Sequence, residues 1–202
     1  MTSRETAPAS QTLSRGIRIL ELLAEARDAL AIDELARRLG VHRSIAYRLV
    51  RTLEDHALVV RTDSGRVTLG ARMAALAAGV APDLQSAALP ELTATADELG
   101  MTCFLAVLDR EECITLASVE PRHAVASVAQ RPGARHSIAL GAPGKAILST
   151  LPASQWPVEV DAATAAAIAA AADRGYATSH DEVIPTVQAV AVPLRLRSPQ
   201  RP

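Results

Sequence analysis

One stretch constrains this chain more than any other: HRSIAYRLVRTLEDH, residues 42–56, which follows the glycine-containing RLGV. Wound at about 100° per residue, Arg43, Tyr47, Arg51, Ser44 and Arg48 share an arc of about 140°. Thr52, Ile45, Leu49, Leu53, Ala46 and Val50 fill the remainder. A helix divided in this way must bury one side and leave three arginines, a hydroxyl and a phenol on the other. Its apolar side needs partners, and the preceding residues supply them. LAIDELARRLGV predicts a short helix from near Asp33, with Leu35, Ala36 and Leu39 inward, closed by Gly40 as a left-handed cap. Before it, SRGIRILELLAEA (residues 14–26) predicts a helix capped by Ser14, with Ile17, Leu20, Leu23 and Ala24 at helical spacing.

Helix, glycine turn, then a helix with a basic outer side is the helix-turn-helix pattern. Its second helix enters the major groove, where arginine reaches guanine edges or phosphates. The next residues, LVVRTDSGRVTL, are two β-branched runs around Asp63, Ser64 and Gly65, a hairpin signal. A hairpin directly after such a helix predicts a winged helix, with Arg61 and Arg66 flanking the tip, within reach of backbone phosphate or the minor groove. The competing reading of one basic helix is a solvated amphipathic face. Four features in the right order favour double-stranded DNA as the partner instead. Charge agrees: residues 1–72 carry 12 Arg against 9 acids, whereas the rest carries 8 Arg and one Lys against 13 acids.

Beyond residue 70 the pattern changes. GARMAALAAG predicts a small connecting helix, and DLQSAALPELTATADELG an amphipathic one, with Pro90 inside it and Gly100 ending it. MTCFLAVLD, a turn at Arg110, Glu111 and Glu112, and CITLASVE predict paired strands, with HAVASVAQ as a third. APGKAILSTL reads as a short helix, DAATAAAIAAAADRGY as an alanine-rich helix closed at Gly175, and YATSHDEV and QAVAVPLRL as two more strands. The expected class is α+β, a sheet with helices packed on it.

GAPGKAILST, residues 141–150, invites a nucleotide reading that it fails. A phosphate loop needs glycine five residues before Gly144, where Ala139 stands, and a hydroxyl after Lys145, where Ala146 stands. Pro143 removes a further amide. Cys103 and Cys113 have no metal-ligand spacing and read as reduced thiols. His123, His136 and Ser137 show no nucleophile–base arrangement, and Asp109, Glu111, Glu112 and Glu120 read as solvated turn charges. No catalytic residue, metal or cofactor is expected. The opening MTSRETAPASQTLSRG lacks an apolar signal region, and no uncharged run is long enough to span a bilayer, so a cytoplasmic location away from membranes is expected. Hydrophobic residues make up 49% of the chain but include one Trp, one Phe and two Tyr, so packing must be aliphatic.

The run from LSRGIRILELLAE through IDELARRLGVHRSIAYRLVRTLEDHALV to GRVTLGARMAALA resembles the N-terminal half of IclR-type bacterial transcriptional regulators. The likeness continues along RPGARHSIALGAPGKAIL and RGYATSHDEVIP. It implies a winged helix-turn-helix domain at residues 1–70, a linker helix at 71–82 and a GAF-like α+β effector domain at 83–202. Arg43, Ser44, Tyr47 and Arg48 would meet bases and phosphates, with Arg51 on phosphate. Ala142 and Gly144 would line an effector pocket, with Lys145 behind them and Asp181 as a polar wall beside His180. The implied function is transcriptional regulation under a small organic acid, by a homodimer or homotetramer on a pseudo-palindromic operator. The sequence departs from that family at Leu140 and Ala189, where many relatives carry Cys, and at Pro143. It also ends at PLRLRSPQRP, where relatives continue with a strand and a helix, so the expected sensor is short at its C-terminus. Two other readings remain at this point. One is a small-molecule enzyme using the GAPGK turn as an anion site. The other is a winged helix that binds protein rather than DNA.

Overall fold

Ser10, not Ser14, opens the first helix, α1 (Gln11–Glu25), by accepting the Leu13 amide at 3.4 Å. The structure is a computed structural model that describes residues 10–26, 28–123 and 130–194. The inward side of α1 carries Gly16, Ile19, Leu22 and Leu23, whereas Ile17 is 48% exposed and Ala24 also faces out. That corrects the expected register. Apolar residues at 17, 19, 20, 22 and 23 allow two helical stripes, and packing on the next two helices selects the one through Ile19.

Helix α2 (Ile32–Leu39) ends at Gly40 with φ 65°, a left-handed conformation that costs other residues strain. The Val41 amide then donates back to the Ala36 carbonyl at 3.0 Å. Helix α3 (Arg43–Asp55) buries Ala46, Leu49, Val50 and Leu53, with Ile45 partly buried beside them. Thr52, expected on the inward side, is exposed, its hydroxyl turned to the Arg48 carbonyl at 3.1 Å. Strands β1 (Val59–Arg61) and β2 (Val67–Leu69) form the expected hairpin, with Arg61 opposite Val67. Leu30 adds a third rung: its amide donates to the Val67 carbonyl at 2.9 Å and its carbonyl accepts from the Val67 amide at 2.8 Å. Ile19, Leu35, Val50, Val59 and Val67 are fully buried where these pieces meet. Helix α4 (Arg72–Ala77) buries no residue. This first unit covers residues 1–82, and a second covers 83–202.

The second unit opens with α5 (Pro82–Leu99), which runs through Pro90 and buries only Ala96, far less than its expected amphipathic face. Strands β3 (Cys103–Asp109) and β4 (Glu112–Val119) pair antiparallel, with an irregularity between Leu105 and Ala106. The third strand expected at 123–130 falls, apart from its two end residues, outside the described residues. The partner of β4 there is β5 (Arg135–Ser137). Next come α6 (Gly141–Leu148) and α7 (Ala162–Arg174). Asp161 caps α7 by accepting the Thr164 amide at 2.7 Å, which holds its carboxyl below the usual carboxylate range. Strands β6 (Ala177–His180) and β7 (Gln188–Ala191) pair only with each other among the described residues. The single expected sheet is therefore two, because alternation marks a strand without naming its partner. Ala142, Ala146, Ala171 and Ala177 form a core of small side chains between α6, α7 and this hairpin. Trp156 packs near Ile138, Leu148 and Ile168, its indole Nε1–H shared between the Leu148 and Leu151 carbonyls at 3.2 and 3.3 Å.

The register of α1 is open to direct test. Ile19→Ala should cost about 3 kcal/mol in urea denaturation, as for a buried aliphatic side chain, and Ile17→Ala under about 1 kcal/mol. Equal losses would contradict the packing described.

Candidate nucleic-acid interface and effector turn

Helix α3 has a side-chain cap of an uncommon kind. His42 Nδ1 lies 3.3 Å from the Ser44 amide nitrogen and 2.9 Å from the Ser44 hydroxyl, closing the first turn. From that start, Arg43, Ser44, Tyr47, Arg48 and Arg51 all emerge exposed on the side away from the core. They do not stand in equivalent surroundings. Arg43 Nε pairs with Asp33 at 2.7 Å, with both side chains more than two-thirds exposed, a contact that water weakens. Arg48 and Arg51 have no ion pair or side-chain hydrogen bond among the described residues.

The two wing arginines are held by the protein. Arg66 Nε donates to the Ala29 carbonyl at 2.7 Å, and its other end lies 3.8 Å from Glu34. Arg61 makes a two-pronged contact with Glu54, at 2.8 and 3.0 Å, while its guanidinium carbon lies 5.5 Å from the centre of the Tyr47 ring. Glu54 is the residue that reading by type and spacing missed. It sits seven residues after Tyr47 on the same helix, which places both on one side.

In the second unit the glycine turn before α6 is filled by the chain itself. Glu182 Oε2 accepts the Gly141 amide at 2.9 Å, and Ser179 Oγ accepts the Ala142 amide at 2.9 Å. Lys145, buried, forms an ion pair with the other Glu182 oxygen. Ala142 is fully buried. Gly144 packs against backbone so closely that an added Cβ would stand 2.0 Å from the Ile138 carbonyl oxygen. Asp181 is exposed at φ 60° and caps the Thr186 amide within the β6–β7 loop, and His180 beside it is exposed too. The inward residues of β6 are Ala177 and Ser179. Strand alternation could have found Ser179, had the start of the strand been known. An open hollow of about 300 Å³ adjoins these groups, lined by Ala139, Leu140, Lys145, Ala163, Thr164, Ala167 and Glu182.

Neither thiol is poised as a nucleophile: burial pushes Cys113 up to about 11 and raises Cys103 as well. No group of three His, Cys, Asp or Glu side chains suited to a metal ion occurs among the described residues. No described helix is long and apolar enough to cross a membrane.

A glycine-turned helix pair, a basic third helix and a bonded wing, followed by a separate α+β unit, define a two-unit chain of the winged helix-turn-helix class. Comparison with known proteins narrows the class. Residues 12–63 match the IclR helix-turn-helix domain, and residues 77–200 match the C-terminal domain of bacterial transcriptional regulators of the IclR type. The chain belongs to the IclR family. It is 32% identical over 158 residues to the transcriptional repressor IclR of Escherichia coli K12, a match covering 74% of this chain and 57% of that protein. A second Escherichia coli K12 relative, the HTH-type transcriptional regulator XynR, is 24% identical over 93% of this chain and 81% of its own length. Among solved structures, an IclR regulator from Alicyclobacillus acidocaldarius superposes with TM-score 0.80 at 28% identity, over 92% of this chain and 82% of that one. An IclR homologue from Microbacterium hydrocarbonoxydans, complexed with 4-hydroxybenzoate, gives 0.78 at 25%, over 92% and 83%.

The close contact at Gly144 sets an expectation for stability. Gly144→Ala should lower it by about 3 kcal/mol, because backbone rather than a flexible side chain must move. The check is thermal denaturation followed by Trp156 emission, and an unchanged midpoint would remove the packing explanation.

Proposed function

We propose that this chain is a DNA-binding transcriptional regulator controlled by a small organic acid. The observation that carries the reading is the outer side of α3, where Arg48 and Arg51 stand exposed beside Tyr47 and without a side-chain partner among the described residues. A free guanidinium on a helix locked into a core is suited to guanine edges or phosphates. Arg43 and Ser44 lie nearest the helix start, the end that approaches base edges in this docking mode. Arg66, bonded to Ala29, has less to offer a phosphate than its place beside the wing tip suggests.

The acting unit is a homodimer or homotetramer on a pseudo-palindromic operator in the cytoplasm. Exposed Leu13 and Ile17 on α1 offer apolar surface for self-association. Residues 71–82 serve as the linker between DNA-binding and effector domains. Names of relatives support regulation over catalysis, since the matched proteins are described as regulators or repressors. No enzymatic activity is proposed. For the effector, the 4-hydroxybenzoate complex of the Microbacterium relative supports an aromatic or aliphatic carboxylate. The Gly141 and Ala142 amides are engaged, so such a ligand would meet Lys145 at the hollow, where an ammonium with three donors has one acceptor among the described residues. Ala142, Gly144 and Asp181 then act as framework around that hollow.

Two measurements test this. A salt titration against labelled duplex from the chain's own promoter region should show steep loss of affinity. Arg48→Ala and Arg51→Ala should each weaken binding and lower the log–log slope by about one. A flat salt response would leave the regulator reading without its electrostatic basis. In thermal shift, 4-hydroxybenzoate at a hundredfold over its dissociation constant should add about 2.7 kcal/mol. No stabilisation by it, benzoate or short aliphatic acids would argue against an acidic effector.

A further inference from the structure

Arg61 joins two elements that the chain could have left separate. It is the last residue of β1, and its guanidinium uses Nε and one terminal nitrogen on the two oxygens of Glu54, in the last turn of α3. Both side chains are about one-quarter to one-third exposed, so the pair is partly shielded from water. The same guanidinium lies 5.5 Å from the Tyr47 ring centre, two turns back along the helix. Its charge is balanced by Glu54 and two of its donors are committed. Three N–H groups remain, but a phosphate that took them would sit close to the Glu54 carboxylate, which neutralises the cation and repels the anion.

We infer that Arg61 is a positioning residue rather than a phosphate ligand: with Glu54 it pins the wing to the recognition helix and fixes the Tyr47 ring, which makes Tyr47 a specificity-determining side chain. This rests on the DNA-binding reading above. A phenol half exposed on a helix has two χ angles to restrict before it can report on a base. The planar cation beside its ring restricts them, and the two-pronged pair restricts the cation. Arg48 and Arg51, one and four residues from Tyr47, then supply attraction while Tyr47 supplies discrimination.

The experiment compares full-length variants on two probes: a duplex enriched by the wild-type protein from a random pool, and poly(dI-dC). Affinity for each, its salt slope, and the ratio of the two are measured by anisotropy, with folding checked by circular dichroism. Arg61→Gln and Glu54→Gln should each lower the ratio about tenfold with the slope unchanged. The exchange Glu54→Arg with Arg61→Glu restores the pair but takes the position-61 cation from beside the ring, and should recover at most part of it. Tyr47→Ala should lower the ratio as much, and adding Arg61→Gln to it should cost little more, as expected for residues acting as one unit.

A phosphate role for Arg61 gives a different pattern. The slope would fall by about one, both probes would weaken alike, and Glu54→Gln would tighten both. That result overturns the inference while leaving DNA binding intact. An equal weakening on both probes without a slope change would reduce the pair to general stability and overturn it too. Failure of the wild-type protein to bind either probe would remove the DNA-binding reading, and this inference with it.

Discussion

With φ at 65°, Gly40 ends α2 and turns the chain so that Val41 folds back onto Ala36 and α3 begins at Arg43. The close spacing of the two helices leaves α3 one direction in which to point its aliphatic side, into Ile19, Leu35 and the wing strands. Because that side is locked by burial, the opposite side is locked by exclusion. Leu30 then ties the hairpin to the segment before α2, and Arg61 ties it to α3. The presentation of the arginines thus follows from a turn that contributes nothing to the surface itself.

The first unit was largely legible in the sequence because its signals are local. Gly40, the divided helix and the Asp63–Gly65 turn lie within a few residues of what they determine. Legibility failed where two answers satisfied the same pattern, as with Ile17 against Ile19 on α1. It failed again where the deciding partner is remote. Glu182 and Ser179 reach the α6 turn across 41 and 37 residues, and no spacing rule links them to Gly141 and Ala142. Asp181 shares the parity of the inward residues 177 and 179, but β6 ends at His180, and Asp181 turns at φ 60° into the loop, where it holds the Thr186 amide. Gly144 looked like part of a ligand-binding turn, whereas the approach of Ile138 already accounts for a missing Cβ there.

The two units handle charge in opposite ways. The first leaves Arg48 and Arg51 in water, where attraction acts at a distance and falls with salt. The second buries the chain's single lysine against a carboxylate that also caps a helix. A compact ammonium on a flexible stem suits that place better than the planar fork of arginine, which supplies every other permanently charged basic side chain. Breaking the Lys145–Glu182 pair would strand charge in partly buried surroundings, so the turn before α6 is held shut by electrostatics as well as by packing.

Trp156, the one tryptophan of the chain, donates to two carbonyls at the end of α6 and lies in the second unit. Its indole is therefore a probe with a single address. Emission excited at the red edge of the indole band, where the two tyrosines barely absorb, reports the unit that holds the α6 turn, and events in the winged helix register there only insofar as they are transmitted. Coupling between the two units can therefore be read as light from a residue that belongs to one of them alone.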